Sequence, residues 1–158
     1  MLRIPPTYIS QYKLSDGGEF LRFVKDKKPE LLAQLGDVYV LHTTSIEGWR
    51  PLMNDSQYDT LINEGTYVVA YACVRRATSD LGILEWLETR ITGHGFGTYL
   101  RRRLRVVYGD VLPRRITDDT ASYWKRELGF DDVDVDPCEH MRLICGRDAG
   151  YFQWEPLI

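Results

Sequence analysis

The chain has little cysteine and no long apolar run, and each shortage removes a class of protein. Cys73, Cys138 and Cys145 are its three cysteines among 158 residues, an odd number with no CxxC pair. That excludes a small disulfide-stapled scaffold and fits a reduced, intracellular protein, expected in the cytoplasm. Cys138, His140 and Cys145 match no standard zinc spacing, so no metal is expected. No run of about 18 apolar residues occurs, so no membrane span is expected, and Met1 to Pro6 lacks the apolar core of a signal peptide. Neither sign of charge dominates: the net charge is −3, whereas a dedicated nucleic-acid binder is usually basic. Internal repeats and low-complexity segments are absent as well.

What is present is a globular composition, 44% hydrophobic and 12% aromatic. At this length it predicts a single domain over residues 1–158 with a sizeable core. Tyr8 to Lys13 reads as a first strand. Asp16, with Glu19 three residues on, has the form of a capping box, and Phe20, Leu21 and Val24 then mark a helical face that Lys25 to Lys28 breaks. Pro29 to Leu35 predicts a second short helix closed by Gly36. Val38 to His42 is a strand. Thr43 to Gly65 is the least regular stretch, with one or two helical turns expected at Gln57 to Ile62. Tyr67 to Val74 is β-branched, aromatic and almost wholly apolar, as in a central strand buried on both faces. Leu81 to Leu87 is its expected hairpin partner.

The most informative segment follows that strand: Gly93-His94-Gly95-Phe96-Gly97-Thr98, leading into a helix from Tyr99 to Val107. Glycines let a backbone turn tightly and lie close to a ligand. Amides at a helix start, helped by the helix dipole, attract negative charge. The order strand, glycine loop, helix therefore predicts an anion cradle. A Walker A loop needs Lys-Ser or Lys-Thr after its last glycine, and here Thr98-Tyr99 follows. The dinucleotide fingerprint needs different glycine spacing and an early βαβ unit. In the helix, Phe96, Leu100, Leu104 and Val107 share one face, from which Arg101, Arg102 and Arg105 fall away. Gly109 closes it. Arg114 to Thr117 is a short strand, Asp118 or Asp119 caps a helix from Thr120 to Leu128, and Asp132 to Val135 and His140 to Cys145 are two last strands.

Ile91 to Leu100 resembles the acyl-CoA pyrophosphate loop of the GNAT N-acetyltransferase superfamily. Asp119 to Phe130 resembles that family's closing helix, with the aromatic pair Tyr123-Trp124 and Leu128-Gly129-Phe130. The likeness spans Leu81 to Phe130; the first third matches only in element order. It implies an α+β fold with a mixed, mainly antiparallel splayed sheet flanked by helices. The expected order is strand, two helices, three strands, helix, strand, helix, two strands.

The resemblance further implies that acetyl-CoA is the cosubstrate. Thr92, Gly93, His94, Gly95, Phe96, Gly97 and Thr98 would cradle its pyrophosphate, and Trp86, Leu87 and Glu88 would line the pantetheine arm through backbone groups. A bulge in that strand would aim an amide at the thioester carbonyl. Matching Gly95 and Gly97 to the family's glycines puts Thr92 where Arg or Gln is usual; a shifted match uses Arg90, Gly93 and Gly95. Tyr123 is the candidate acid for the leaving thiolate, with Trp124 or Lys125 competing for the aligned position, and Trp124 is counted with the cofactor-binding residues. Direct attack needs a neutral amine, hence a base. Glu85 is the candidate, Glu88 the second.

The expected activity is acetyl transfer from acetyl-CoA to a primary amine on a small molecule, a protein or an aminoacyl-tRNA. The rival reading is a GNAT-fold binding module with weakened catalysis. Nucleic acid is a lesser partner, through Arg101, Arg102 and Arg105, and a homodimer is compatible with either reading.

Overall fold

The computed structural model describes residues 7–34, 36–44, 46–64, 67–90, 95–117, 120–128 and 153–155. The fold is α+β, with a mixed, mostly antiparallel five-stranded sheet and flanking helices. The chain divides into two compact units, Met1–Val111 and Leu112–Ile158.

In the first unit, β1 (Thr7–Tyr12), β2 (Asp37–Thr43), β3 (Val68–Thr78) and β4 (Leu81–Thr89) lie side by side in chain order, each antiparallel to the next. β5 (Asp110–Pro113), which begins in this unit, is the next strand in the sheet order after β4. Val68 to Val74 are all buried, as the apolar run predicts.

Helix α1 (Gly18–Lys27) covers one face, where Phe20, Phe23 and Val24 join Val40, Val68, Tyr71 and Cys73 in one apolar cluster. This helix runs through Lys25 to Lys27 rather than stopping there. Asp16 does not cap it: its carboxylate accepts from the Lys13 amide at 3.0 Å and closes a preceding 3-10 turn, while Gly17 and Gly18 make the positive-φ corner. Pro29–Ala33 is a 3-10 turn. The irregular stretch before β3 contains α2 (Ile46–Trp49), a 3-10 turn at Arg50–Leu52 and α3 (Asp55–Glu64).

Helix α4 (Phe96–Tyr108) lies against β3 and β4. Phe96, Leu100 and Leu104 are buried as expected, but Val107 is 52% exposed and Tyr108 takes the buried place. The reason lies across the interface. Gly82 leaves room for the Tyr108 ring, which a Cβ there would meet at 2.9 Å, and the Tyr108 hydroxyl shares a 2.8 Å hydrogen bond with that of Tyr39. Arg101 is also buried, its Nε donating to the Val111 carbonyl at 3.0 Å.

In the second unit, β6 (Arg115–Thr117) pairs in parallel with β7 (Gln153–Glu155), and α5 (Ala121–Glu127) follows β6. Ile116 and Trp124 are buried there. The predicted strand at Arg114 therefore starts one residue later, and β5 precedes it. The strands predicted at Asp132 to Val135 and His140 to Cys145, and the caps Asp118 and Asp119, lie outside the described residues.

Candidate functional site

β4 changes character halfway along. Leu81 to Leu84 are buried, while Glu85 to Thr89 are partly exposed. The register shows why. Cys73 faces Trp86 but Val74 faces Leu84, so Glu85 is an extra residue, a β-bulge. A bulge bends its strand and breaks the even alternation of side chains. Here it lets Glu85 reach Arg75 on β3: the guanidinium Nε donates to the carboxylate at 2.9 Å, and the Glu85 side chain is only 3% exposed. Burial, first, and then the charges of Glu85 and Asp37 push the neighbouring Cys73 thiol up to about 11.

Beyond the bulge, Glu88 is 30% exposed and shared by two partners. The Tyr71 hydroxyl donates to one oxygen, and Lys28 lies 3.1 Å from the other. Burial, reinforced by this carboxylate, raises the Tyr71 phenol well above its ordinary value. Trp86 packs toward the α1 cluster, whereas Leu87 faces α4. Arg90 turns toward α1 as well: it donates to the Val68 carbonyl at 2.9 Å and lies 4.6 Å from the centre of the Phe23 ring. Burial pulls its guanidinium down to about 10. In the shifted glycine register Arg90 would be the loop's basic residue; its side chain is committed to this other contact.

Thr92, Gly93 and His94 lie outside the described residues; Gly95 is the N-cap of α4 at φ +74°. Its carbonyl accepts from the Tyr99 amide at 2.9 Å, the first full turn of the helix. Gly97 lies so close to β4 that a Cβ would meet Thr89 at 3.0 Å. The helix start is thus pressed onto the exposed end of the strand, with its first-turn amides directed at the helix entrance, where anions are favoured. These residues fit a pyrophosphate by chemistry: backbone donors, no Cβ at two positions and, among the described residues, no atom within 4 Å of where a Gly95 Cβ would lie.

Among the described residues, the outer edge of β4 is only partly laddered. α4 carries the chain back, and the Asp110 amide donates to the Asp80 carbonyl at 3.0 Å, so β5 starts where β4 starts. β5 has four residues and β4 nine, so β5 is too short to pair the half beyond the bulge.

The arginines of α4 do not form one patch. Arg101 is buried, correcting its expected surface role. Arg102 and Arg105 flank a groove with Asp80, Gly109 and Asp110, and Arg105 lies 3.8 Å from Asp110. At 1.5 Å per residue, Arg105 is on the order of 14 Å along the helix from Phe96, so it belongs to the opposite end from the glycines.

Tyr123 and Trp124 sit on α5 in the second unit, their rings edge to face at 4.9 Å, with Trp124 buried. Sequence reasoning missed Arg75, Tyr71 and Lys28. Tyr71 lies directly across from Glu88 in the hairpin register, a pairing that alignment of the two strands would have shown. Arg75 becomes a partner only through the bulge.

Among the described residues, no group of three or more His, Cys, Asp or Glu side chains is placed to hold a metal, and no helix is long and apolar enough to cross a membrane. No model of a known protein family matches the chain, and no curated protein sequence matches it.

Proposed function

We propose that this chain is an acetyl-CoA-dependent N-acetyltransferase of the GNAT kind, acting on a primary amine. The observation that carries this reading is the bulge at Glu85, which divides β4 into a half beside β5 and a half that, among the described residues, no further strand pairs at its outer edge, next to the glycine-led start of α4. Acetyl-CoA, when bound, supplies the activated acetyl group. The backbone of Trp86, Leu87 and Glu88 would line its arm, and the amides from Gly95 to Thr98 would face its pyrophosphate, joined by Thr92, Gly93 and His94. Amides freed from regular pairing at the bulge suit a site where negative charge develops on a carbonyl oxygen.

The two carboxylates then divide the work. Glu85, closed off by Arg75, holds the bulge. Glu88, the more exposed, takes the proton from the acceptor ammonium, directly or through water. Most of the remaining rate comes from holding two substrates together. An aminoacyl-tRNA acceptor is disfavoured by the burial of Arg101.

Calorimetry with acetyl-CoA, followed by thiol release with a panel of primary amines, tests the reading. Saturable binding and amine-dependent thiol release are expected. No heat at millimolar acetyl-CoA overturns it, and binding with only slow hydrolysis marks a binding module.

A further inference from the structure

A second groove lies where β1 begins, β2 ends and β3 is entered, with the start of α1 as its far wall. Its volume is about 510 Å³. Its walls are rings: Tyr8, Tyr12, Phe20, His42 and Tyr67 all line it. Two of these rings are left half in solvent, Tyr8 at 53% and Tyr67 at 49%. The Tyr8 ring is nevertheless held in place. Tyr8 stacks on His42 with centroids 4.8 Å apart and planes 14° from parallel. The His42 Nε2 is 2.9 Å from the Ser10 hydroxyl. The Tyr67 carbonyl accepts from the Thr43 amide at 2.9 Å.

Among the described residues, the charge lining this groove is of one sign: Glu19 contributes a carboxylate, and no described Lys or Arg lines it. Burial holds His42 below its ordinary value, so the ring is neutral at neutral pH. Asp16 lies close enough for its charge to act on Tyr12. The N-terminus of α1 opposes this with about half a positive charge, less than the full negative charge of Glu19 that sits in its first turn.

We propose that this groove binds a small organic ammonium ion, with the Tyr8 and Tyr67 rings facing the cation and the Glu19 carboxylate balancing its charge. Aromatic faces attract cations through their quadrupole, and most strongly where water is partly excluded. An apolar guest would gain from the rings but would leave the carboxylate without a counter-charge, and an anion would meet Glu19. The site does not depend on acetyl transfer.

Calorimetric titration of the full chain, without acetyl-CoA, tests this with choline, n-butylammonium and the neutral choline isostere 3,3-dimethylbutan-1-ol. Saturable binding of at least one cation is expected, with the neutral alcohol at least about tenfold weaker. Glu19→Gln should weaken the cation about tenfold and Tyr67→Ala about fivefold; both side chains are exposed, and a thermal melt checks that each variant folds. Equal binding of the alcohol overturns the proposal on the unaltered protein alone. So does the absence of saturable heat with either cation, or an unchanged affinity in a folded Glu19→Gln variant. Preference for butylammonium over choline assigns a primary amine; the reverse assigns a methylated one.

Discussion

The two halves of β4 share one strand, one neighbour and one helix, yet they do different work. Leu81 to Leu84 are buried and paired with β3. Glu85 to Thr89, one bulge later, carry both carboxylates and meet the glycine-led start of α4. A single inserted residue marks the place where the buried run of a core strand ends. It re-aims side chains that would otherwise alternate into the two apolar layers.

The buried half of β4 should be the more sensitive to truncation. Ile83→Ala in the fully buried half should cost about 2–5 kcal/mol, the transfer loss plus a cavity. Its urea midpoint should fall by more than that of any substitution beyond the bulge.

At the junction, Cys73 faces Trp86 and feels Glu85. Its thiol ionises near 9.0 when unfolded and near 11 when folded. The neutral form is therefore favoured by folding. The stability this contributes is complete below pH 9 and is lost as pH rises toward 11, amounting to roughly 2–3 kcal/mol. Urea titrations between pH 8 and 11 should show this slope, and Cys73→Ala should remove the part between pH 9 and 10, leaving the loss above pH 10 that the raised Tyr71 and Tyr108 phenols contribute. Glu85→Gln should move the slope to lower pH.

The bulge pair should be asymmetric. Arg75→Met leaves a carboxylate of 3% exposure without its cation and should cost about 2 kcal/mol, discounted because Arg75 itself is a third exposed. Glu85→Gln leaves a guanidinium that can turn to water and should cost less. Equal losses in a double-mutant cycle would mean that the bulge does not depend on which charge is buried.

The smallest stability effect belongs to the site half. Gly97→Ala should cost about 1 kcal/mol by pressing on Thr89. Under the acetyltransferase reading it should nevertheless weaken acetyl-CoA about tenfold, because it shifts the helix start against the strand. A loss of stability with unchanged affinity would detach the α4 glycines from the ligand.

Much of the sheet was legible because its signals are local. The apolar run at Val68 to Val74 and the Phe96, Leu100, Leu104 spacing both led to buried faces. β5 was not legible: Asp110 and Pro113 are poor strand residues, and Asp110 pairs because Asp80 offers a carbonyl. Asp16 had the right chemistry for a helix cap but closed the turn before it, since Gly17 and Gly18 supply the corner at positive φ. Of the candidate site, the glycines and both carboxylates were visible as residue types. Their partners were not.

Sequence alone determined the layering, because hydrophobic periodicity decides which faces must leave water. It also determined where the chain can turn, because only glycine enters αL freely. The tertiary structure alone decided the chemistry around β4. Glu85 and Glu88 are three residues apart on one strand, and nothing local distinguishes them. Arg75 closes off one of them, while the other, shared by Tyr71 and Lys28, stays more exposed, because the register shifts by one residue between them. That shift is set by long-range pairing, which no short window of sequence contains.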